Sequence, residues 1–232
     1  MNEAEKDGSD MGIFSGIVCF ICFCLLSAKA ATAKLHVEKM DRMFMKMHKP
    51  VSAFLMIACV VHIFYSIPLL KNRSLLVVIS GFSTTALMIL LICFCHMIKD
   101  RKKKIWWHRV CTILMAAGIL GHFTTYITDF NNYQNIVTHI EIDNINLENV
   151  KDGIYRGECD AGYIYARVEV EVRDGAIVSI NLLEHRNERG ERAEAMIDHV
   201  LSEQKIDVDA ISGATNSSKV IKKAIENAIS ER

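Results

Sequence analysis

Near the end of the chain, residues 209–215 read Asp-Ala-Ile-Ser-Gly-Ala-Thr, and a helical pattern starts at residue 216. Ser217 or Ser218 is expected to cap this helix. A phosphate group on Thr215 would lie at a helix N-terminus, where free N–H groups and the helix dipole favour an anion. The alternative to such an anion-binding site is an ordinary turn before a surface helix. The apolar positions that predict the helix recur at helical spacing and are Val220, Ile221, Ala224, Ile225 and Ile229.

The segments upstream of this loop predict a small α+β domain. Residues 166–172 and 176–182 alternate between apolar and polar side chains around Asp174-Gly175, which is typical of a β-hairpin. Residues 191–201 have the pattern of an amphipathic helix. A domain of about 85 residues is large enough for a modest core.

These features together resemble the FMN-binding domain family over about residues 148–230. The similarity includes residues 152–157 and Gly162-Tyr163, and its central motif is Asp209, Ser212, Gly213, Ala214 and Thr215. The resemblance implies that FMN is attached covalently, through a phosphoester made on Thr215 by a flavin transferase. Asn216 departs from the family pattern, in which an apolar residue is expected, but the attachment motif itself is intact.

Charge is distributed unevenly although the whole chain is formally neutral. Residues 1–127 contain 15 Lys and Arg against 7 Asp and Glu, whereas residues 128–232 contain 12 against 20. This asymmetry predicts a membrane part with basic loops followed by an acidic soluble domain.

Four apolar stretches are long enough to cross a bilayer, which requires about 20 residues of helix. They are residues 11–28, 51–70, 74–98 and 105–127. A signal peptide is the alternative for the first stretch, but its leader is acidic rather than basic, which favours a true span. We therefore expect an α-helical membrane bundle of four transmembrane helices in contact with membrane lipid.

The basic residues predict the orientation of these spans. Residues 29–49 and 99–104 contain six and five Lys and Arg, whereas only Lys71 and Arg73 separate the second span from the third. Because basic loops remain in the cytoplasm, the N-terminus and the FMN-binding domain are expected to be extracytoplasmic. The protein would be a multi-pass protein of the cytoplasmic membrane.

Two histidine pairs lie in the second and fourth predicted spans at the same spacing. His48 and His62 are 14 residues apart, as are His108 and His122. This spacing is close to four helical turns, so each pair shares a helix face with its members ~21 Å apart. His48 with His108 would bind the iron of an inner haem b, and His62 with His122 the iron of an outer one. Interfacial or structural histidines are the alternative, although ionisable residues within spans are generally functional.

This spacing resembles that of membrane cytochromes b and of ferric-reductase-like membrane domains, and the resemblance covers only residues 48–122. An internal repeat accompanies it, because His36, His48 and His62 recur 60 residues later as His96, His108 and His122. A duplicated helix pair would explain the repeat. His36 and His96 are expected to be solvated.

The predicted organisation is a four-helix transmembrane haem b domain at 1–127, a connector at 128–147 and an FMN-binding domain at 148–232. Electrons would pass from a cytoplasmic redox protein or a membrane quinol, through two haems, to FMN on Thr215 and on to an extracytoplasmic acceptor. No glycine pattern of a nicotinamide-binding fold is present, so a separate donor is needed; no nucleic acid is expected as a partner. The alternatives are a haem-free, FMN-carrying subunit of a larger redox complex and a flavin redox sensor.

Overall fold

A computed structural model describes residues 3–34, 38–143, 145–187 and 190–230. His36 of the predicted repeat lies outside the described residues. The chain divides into two compact units, Met1–Lys71 and Asn72–Arg232. The predicted histidine pairs of the two haem sites are therefore divided between the units.

The first unit is a helical hairpin of α1 (Glu3–Lys34) and α2 (Glu38–Ser66). The two helices run antiparallel, because Lys29 pairs with Asp41 at one end at 2.8 Å while Gly12 meets His62 at the other. Between these ends, the Sγ atoms of Cys19 and Cys59 lie 3.7 Å apart. A short 3-10 turn, Ile67–Asn72, follows α2.

The second unit begins with another helical hairpin, α3 (Leu75–Met97) and α4 (Arg101–Thr138). Asp100 caps α4 by accepting a hydrogen bond from the Lys103 amide at 2.9 Å. At the other end of this hairpin, the Ser74 amide donates to Asp129 Oδ2 at 3.3 Å. The repeat seen in the sequence thus corresponds to a helical hairpin in each unit.

Among the described residues, four helical segments are long and apolar enough to cross a membrane. Large apolar side chains are widely exposed on them, for example Phe64 at 68%, Leu75 at 71% and Ile113 at 69%. Helices that are apolar on all sides suit lipid rather than water as a solvent. These segments run Met11–Lys29, Glu38–Asn72, Leu75–Met97 and Arg101–Thr138. They contain the first, second and fourth predicted spans, whereas the third is one residue shorter at each end than the predicted 74–98.

The fourth helix is longer than the predicted span that ends at residue 127. α4 continues without interruption to Thr138, through much of the segment predicted to be a connector. Its last turns bury Tyr133 and Val137, which are 8% and 2% exposed. Both side chains belong to the same apolar core as the strands that follow, and this burial stabilises a helix whose local sequence is polar.

Three antiparallel strands follow: β1 (Gly153–Asp160), β2 (Tyr165–Arg173) and β3 (Ala176–Arg186), with β2 in the centre. The β2–β3 hairpin turns at Asp174 and Gly175, both at positive φ (50° and 72°). An Asp-Gly pair favours this turn geometry, which matches the twist of the strands. The strands agree with the predicted ones and extend each by a few residues.

The C-terminal domain consists of this sheet, α5 (Met196–Glu203) and α6 (Thr215–Ser230). The segment predicted as one helix at 191–201 is instead a 3-10 turn, Glu191–Ala195, followed by α5. α6 packs against β1 and β2. The core between them consists of side chains that are fully buried, among them Val168, Val170, Val172, Val220, Ile221 and Ile225.

Candidate functional site

The motif at 209–215 forms a tight turn that leads directly into α6. The Ala214 amide donates to the Ile211 carbonyl at 2.9 Å, and Gly213 occupies the third position of this turn with φ of 78°. A residue at positive φ is required there in a type II turn, which favours glycine. Thr215 is the first residue of α6 and is exposed. The predicted attachment residue is therefore accessible to a modifying enzyme.

The other members of the motif precede Thr215 in the same loop. Asp209, Ser212 and Gly213 are exposed, whereas Ala214 is buried at 5% exposure beneath the turn. Asp209 directly follows two residues, Asp207 and Val208, that are hydrogen-bonded to Lys222 of α6. The structure thus brings the predicted residues together on one surface loop, and their roles remain a prediction.

The first turn of α6 holds this loop through Ser218. Its fully buried hydroxyl accepts from the Ile211 amide at 3.1 Å and donates to the Ala214 carbonyl at 3.1 Å. The expectation that Ser217 or Ser218 caps the helix is wrong, because the helix already starts at Thr215. Ser218 instead fastens the turn to the helix from inside.

Lys222 anchors the preceding segment. Its side chain is buried, and its ammonium group donates to Asp207 Oδ1 at 2.7 Å and to the Val208 carbonyl at 2.9 Å. A buried ammonium group has to be paired in this way. The loop that contains the motif is therefore fixed to α6 at both of its ends.

Ser217 provides a test of whether this loop suits a phosphate-linked cofactor. Its hydroxyl is 1% exposed and has no hydrogen-bond partner among the described residues. A Cβ atom on Gly190 would lie 1.8 Å from that oxygen, so the space beside it admits only glycine. A buried polar atom without a partner is rare in native proteins. Because Gly190 closes off this hydroxyl, a phosphate-linked cofactor fits the exposed Thr215 and the N-terminal amides of α6 rather than Ser217.

In the first unit, His62 lies against a glycine of the neighbouring helix. Its Nδ1 lies 2.9 Å from the Gly12 carbonyl oxygen, and this contact requires Nδ1 to carry the proton. The lone pair is then on Nε2, as in histidines that bind a metal while Nδ1–H donates to a carbonyl group. A Cβ atom on Gly16 would lie 3.1 Å from the ring, so Gly16 makes room for it.

In the second unit, His122 has an equivalent environment. Ser80 Oγ donates to the Val77 carbonyl at 2.9 Å and lies 2.9 Å from His122 Nδ1. Ser80 Oγ also lies 3.0 Å from Thr125 Oγ1, so the His122 ring is held in place by a hydroxyl that can either donate to its Nδ1 or accept from it. A Cβ atom on Gly81 would lie 3.1 Å from the ring. Sequence reasoning missed these glycines, since no local signal separates them from other small residues of a span.

The two remaining histidines of the predicted haem sites are His48 and His108. The carbonyl of His48 accepts from Ser52, and that of His108 accepts from Thr112 at 2.7 Å. Cys95 Sγ lies 3.6 Å from His108 Nδ1. The pairing of His48 with His108, and of His62 with His122, joins the two units and stays a prediction.

The described residues contain no group of three or more His, Cys, Asp or Glu arranged to hold a metal ion. A haem iron bound by one histidine on each side requires only two protein ligands. The Nδ1–H of His62, which donates to Gly12, and the glycines beside both rings fit such ligands.

Comparison with known proteins identifies one part of the chain. The model of the FMN-binding domain family matches residues 161–230, which contain β2, β3, α5 and α6 with Thr215. No curated protein and no solved structure matches the chain significantly. The C-terminal domain is thus similar to FMN-binding domains, which supports FMN as its cofactor and a flavin-related redox role. The four apolar helices lie outside the matched residues.

Proposed function

We propose that this protein carries electrons across the cytoplasmic membrane to an FMN group held covalently on Thr215. The donor would be a cytoplasmic redox protein or a membrane quinol, two b haems would lie between the spans, and the acceptor would be extracytoplasmic. The observation that carries this proposal is the exposed Thr215 at the first position of α6, within a domain that matches the FMN-binding family.

The flavin would be joined through a phosphoester bond between Thr215 Oγ1 and the FMN phosphate. A flavin transferase would form this bond from the dinucleotide FAD: the Thr215 oxygen bonds to the phosphorus on the flavin side, the pyrophosphate bond breaks, AMP leaves and the hydroxyl proton is lost. Exposure of Ser212 and Gly213 leaves the hydroxyl accessible to that enzyme. The N-terminal amides of α6 would stabilise the phosphate charge. Bound FMN would supply one- and two-electron redox chemistry.

His62 and His122 would hold the outer haem, and His48 and His108 the inner one. The contacts of His62 with Gly12 and of His122 with Ser80 support this role, since each orients the ring through Nδ1 and leaves Nε2 as the atom that would coordinate. Haem held by histidine on both sides suits electron transfer rather than oxygen activation.

The distribution of basic residues supports an extracytoplasmic flavin. Lys99 and the basic run Arg101–Lys104 lie at the end of the α3–α4 hairpin remote from the C-terminal domain, because α4 enters that domain at its other end. A basic loop of this kind is retained in the cytoplasm.

An absorption spectrum of the purified protein tests both cofactors. We expect flavin absorbance together with a Soret band and sharp reduced α-bands. The contribution of the outer haem to these bands should be lost in His62→Ala or His122→Ala, whereas both haems should be kept in His96→Ala, a control at the exposed end of α3. Flavin absorbance alone would refute the relay and favour the haem-free subunit.

The covalent link is tested after denaturation. Flavin fluorescence should stay with the unfolded chain, disappear in Thr215→Ala and persist in Thr138→Ala, which alters an exposed threonine of α4. Fluorescence that dissociates from the wild-type chain would show that Thr215 is not the attachment residue.

A further inference from the structure

The C-terminal end of α4 is part of the core of the C-terminal domain. Tyr133 and Val137 are buried among residues of the sheet and of α6. Lys219 of α6 donates to the carbonyls of Val137 and Thr138 at 3.2 and 3.5 Å, which satisfies the C-terminal end of α4. The fourth helix is therefore joined to the C-terminal domain by packing and not only by a flexible connection.

Tyr133 makes the closest aromatic contact at this junction. Its ring stacks on that of Tyr163, with centroids 4.8 Å apart and an angle of 8° between the planes. Arg73, just before α3, places its guanidinium carbon 3.9 Å from the Tyr163 ring centroid. Phe130 lies 6.0 and 6.1 Å from the two tyrosine rings. Residues just before α3 and in the last turns of α4, which lie at the same end of the hairpin, thus contact one buried ring of the C-terminal domain.

The same tyrosine is linked to the residue beside the attachment site. Asn216 Nδ2 donates to Tyr133 Oη at 2.9 Å, and Asn216 directly follows Thr215. Asn216 is also the position at which this chain departs from the apolar residue expected of the family. The departure supplies a hydrogen-bond donor to a partner on α4.

Tyr133 and His122 lie on one face of α4. They are separated by 11 positions in the sequence, which is close to three helical turns and roughly 16 Å along the axis. Tyr126 and Asp129 continue the same face between them. A contact that holds the C-terminal domain against Tyr133 therefore also sets the position of that domain relative to His122.

We propose that Tyr133 is a positioning residue that docks the start of α6 on the end of the fourth helix, so that a flavin on Thr215 keeps a fixed place relative to His122. The proposal rests on the proposed function, since it concerns the same flavin. A purely structural role would stabilise the domain but would leave the mobility of the flavin independent of Tyr133 and Asn216.

The test uses the full chain in lipid nanodiscs and follows the fluorescence anisotropy decay of the bound flavin. The wild-type protein should show only slow rotation of the whole particle. Tyr133→Ala should add a fast component, Asn216→Ala a smaller one, and Tyr133→Phe, which keeps the stack, should resemble Asn216→Ala. Tyr155→Ala, a tyrosine of β1 whose hydroxyl contacts Lys151, is the control and should behave as wild type.

Hydrogen exchange provides a measurement that does not need the flavin. Loss of the stack should raise exchange of the amides at 216–222 about tenfold in Tyr133→Ala, equal to about 1.4 kcal/mol, with exchange in β2 unchanged. If the wild-type chain has no covalent flavin, the proposed function fails, whereas docking is judged by this exchange. Unchanged anisotropy in flavin-bearing Tyr133→Ala and Asn216→Ala, or unchanged exchange, would overturn the positioning role. If Tyr133→Ala unfolds the domain, the Tyr133→Phe and Asn216→Ala proteins decide the matter.

Discussion

Gly157 is the position at which β1 comes closest to α6, and a single added carbon should displace that helix. A Cβ atom there would lie 2.2 Å from the Ala228 amide nitrogen and 2.3 Å from the Ala224 carbonyl oxygen. Both are backbone atoms, so no side-chain rotation can relieve the clash. Overpacking of a core costs about 1–3 kcal/mol. We therefore expect Gly157→Ala to lower the free energy of unfolding of the C-terminal domain by about 3 kcal/mol, the upper end of that range.

Hydrogen exchange of the full chain in detergent measures this loss. A change of about 3 kcal/mol corresponds to roughly 100-fold faster exchange of the most protected amides of α6. Gly153→Ala is the matched control in the same strand, because its Cβ would lie at an ordinary 3.4 Å from the Tyr155 ring. Equal exchange in the two variants would show that α6 does not pack on β1 as described.

Three further predictions concern the spans, a thiol and an ion pair. Ser80→Ala removes the hydroxyl that contacts Nδ1 of His122 and should weaken haem binding about 10–100-fold in a titration. Thr85→Ala, which loses only a bond to the Gly81 carbonyl, should not weaken it. Burial raises the pKa of the Cys159 thiol to about 11. Alkylation of this thiol, followed by peptide mass spectrometry, should therefore be half-maximal near that pH, whereas in an unfolded chain it would be half-maximal at about 8.5. Labelling that is saturated by pH 9 would contradict the burial of the thiol. Asp207→Ala leaves the buried Lys222 ammonium group without its carboxylate partner, whereas Lys222→Met removes the charge itself. Asp207→Ala should therefore lower the urea midpoint of unfolding more than Lys222→Met does. The reverse order would be inconsistent with a buried ammonium group.

Local sequence was sufficient where a structure depends on neighbours in the chain. The β-hairpin at Asp174-Gly175 could be predicted because alternation and turn preference are properties of consecutive residues. The apolar stretches likewise predicted four long helices. The motif that ends at Thr215 was recognisable because its members are contiguous, and the start of α6 then places that residue on the surface.

Features that depend on distant residues were not predictable. The segment 128–138 looked like a connector because its sequence is polar, and only the core shared with the sheet explains why it stays helical through Tyr133. Helix spacing predicted a role for His62 and His122 that stays a prediction, and the glycines that accommodate their rings lie on other helices. The burial of the Ser217 hydroxyl depends on Gly190, which lies before the 3-10 turn Glu191–Ala195 and far from Ser217 in the sequence. Such contacts require the packed structure.

Transfer of electrons across the bilayer can be measured directly in sealed proteoliposomes whose C-terminal domain faces outward, with a membrane-impermeant reductant trapped inside. The proposed relay predicts that the external flavin absorbance bleaches in the wild-type protein, and that this bleaching is lost in His62→Ala. If the wild-type flavin remains oxidised under these conditions, yet bleaches as soon as the same reductant is added outside, the polypeptide does not carry electrons through the membrane.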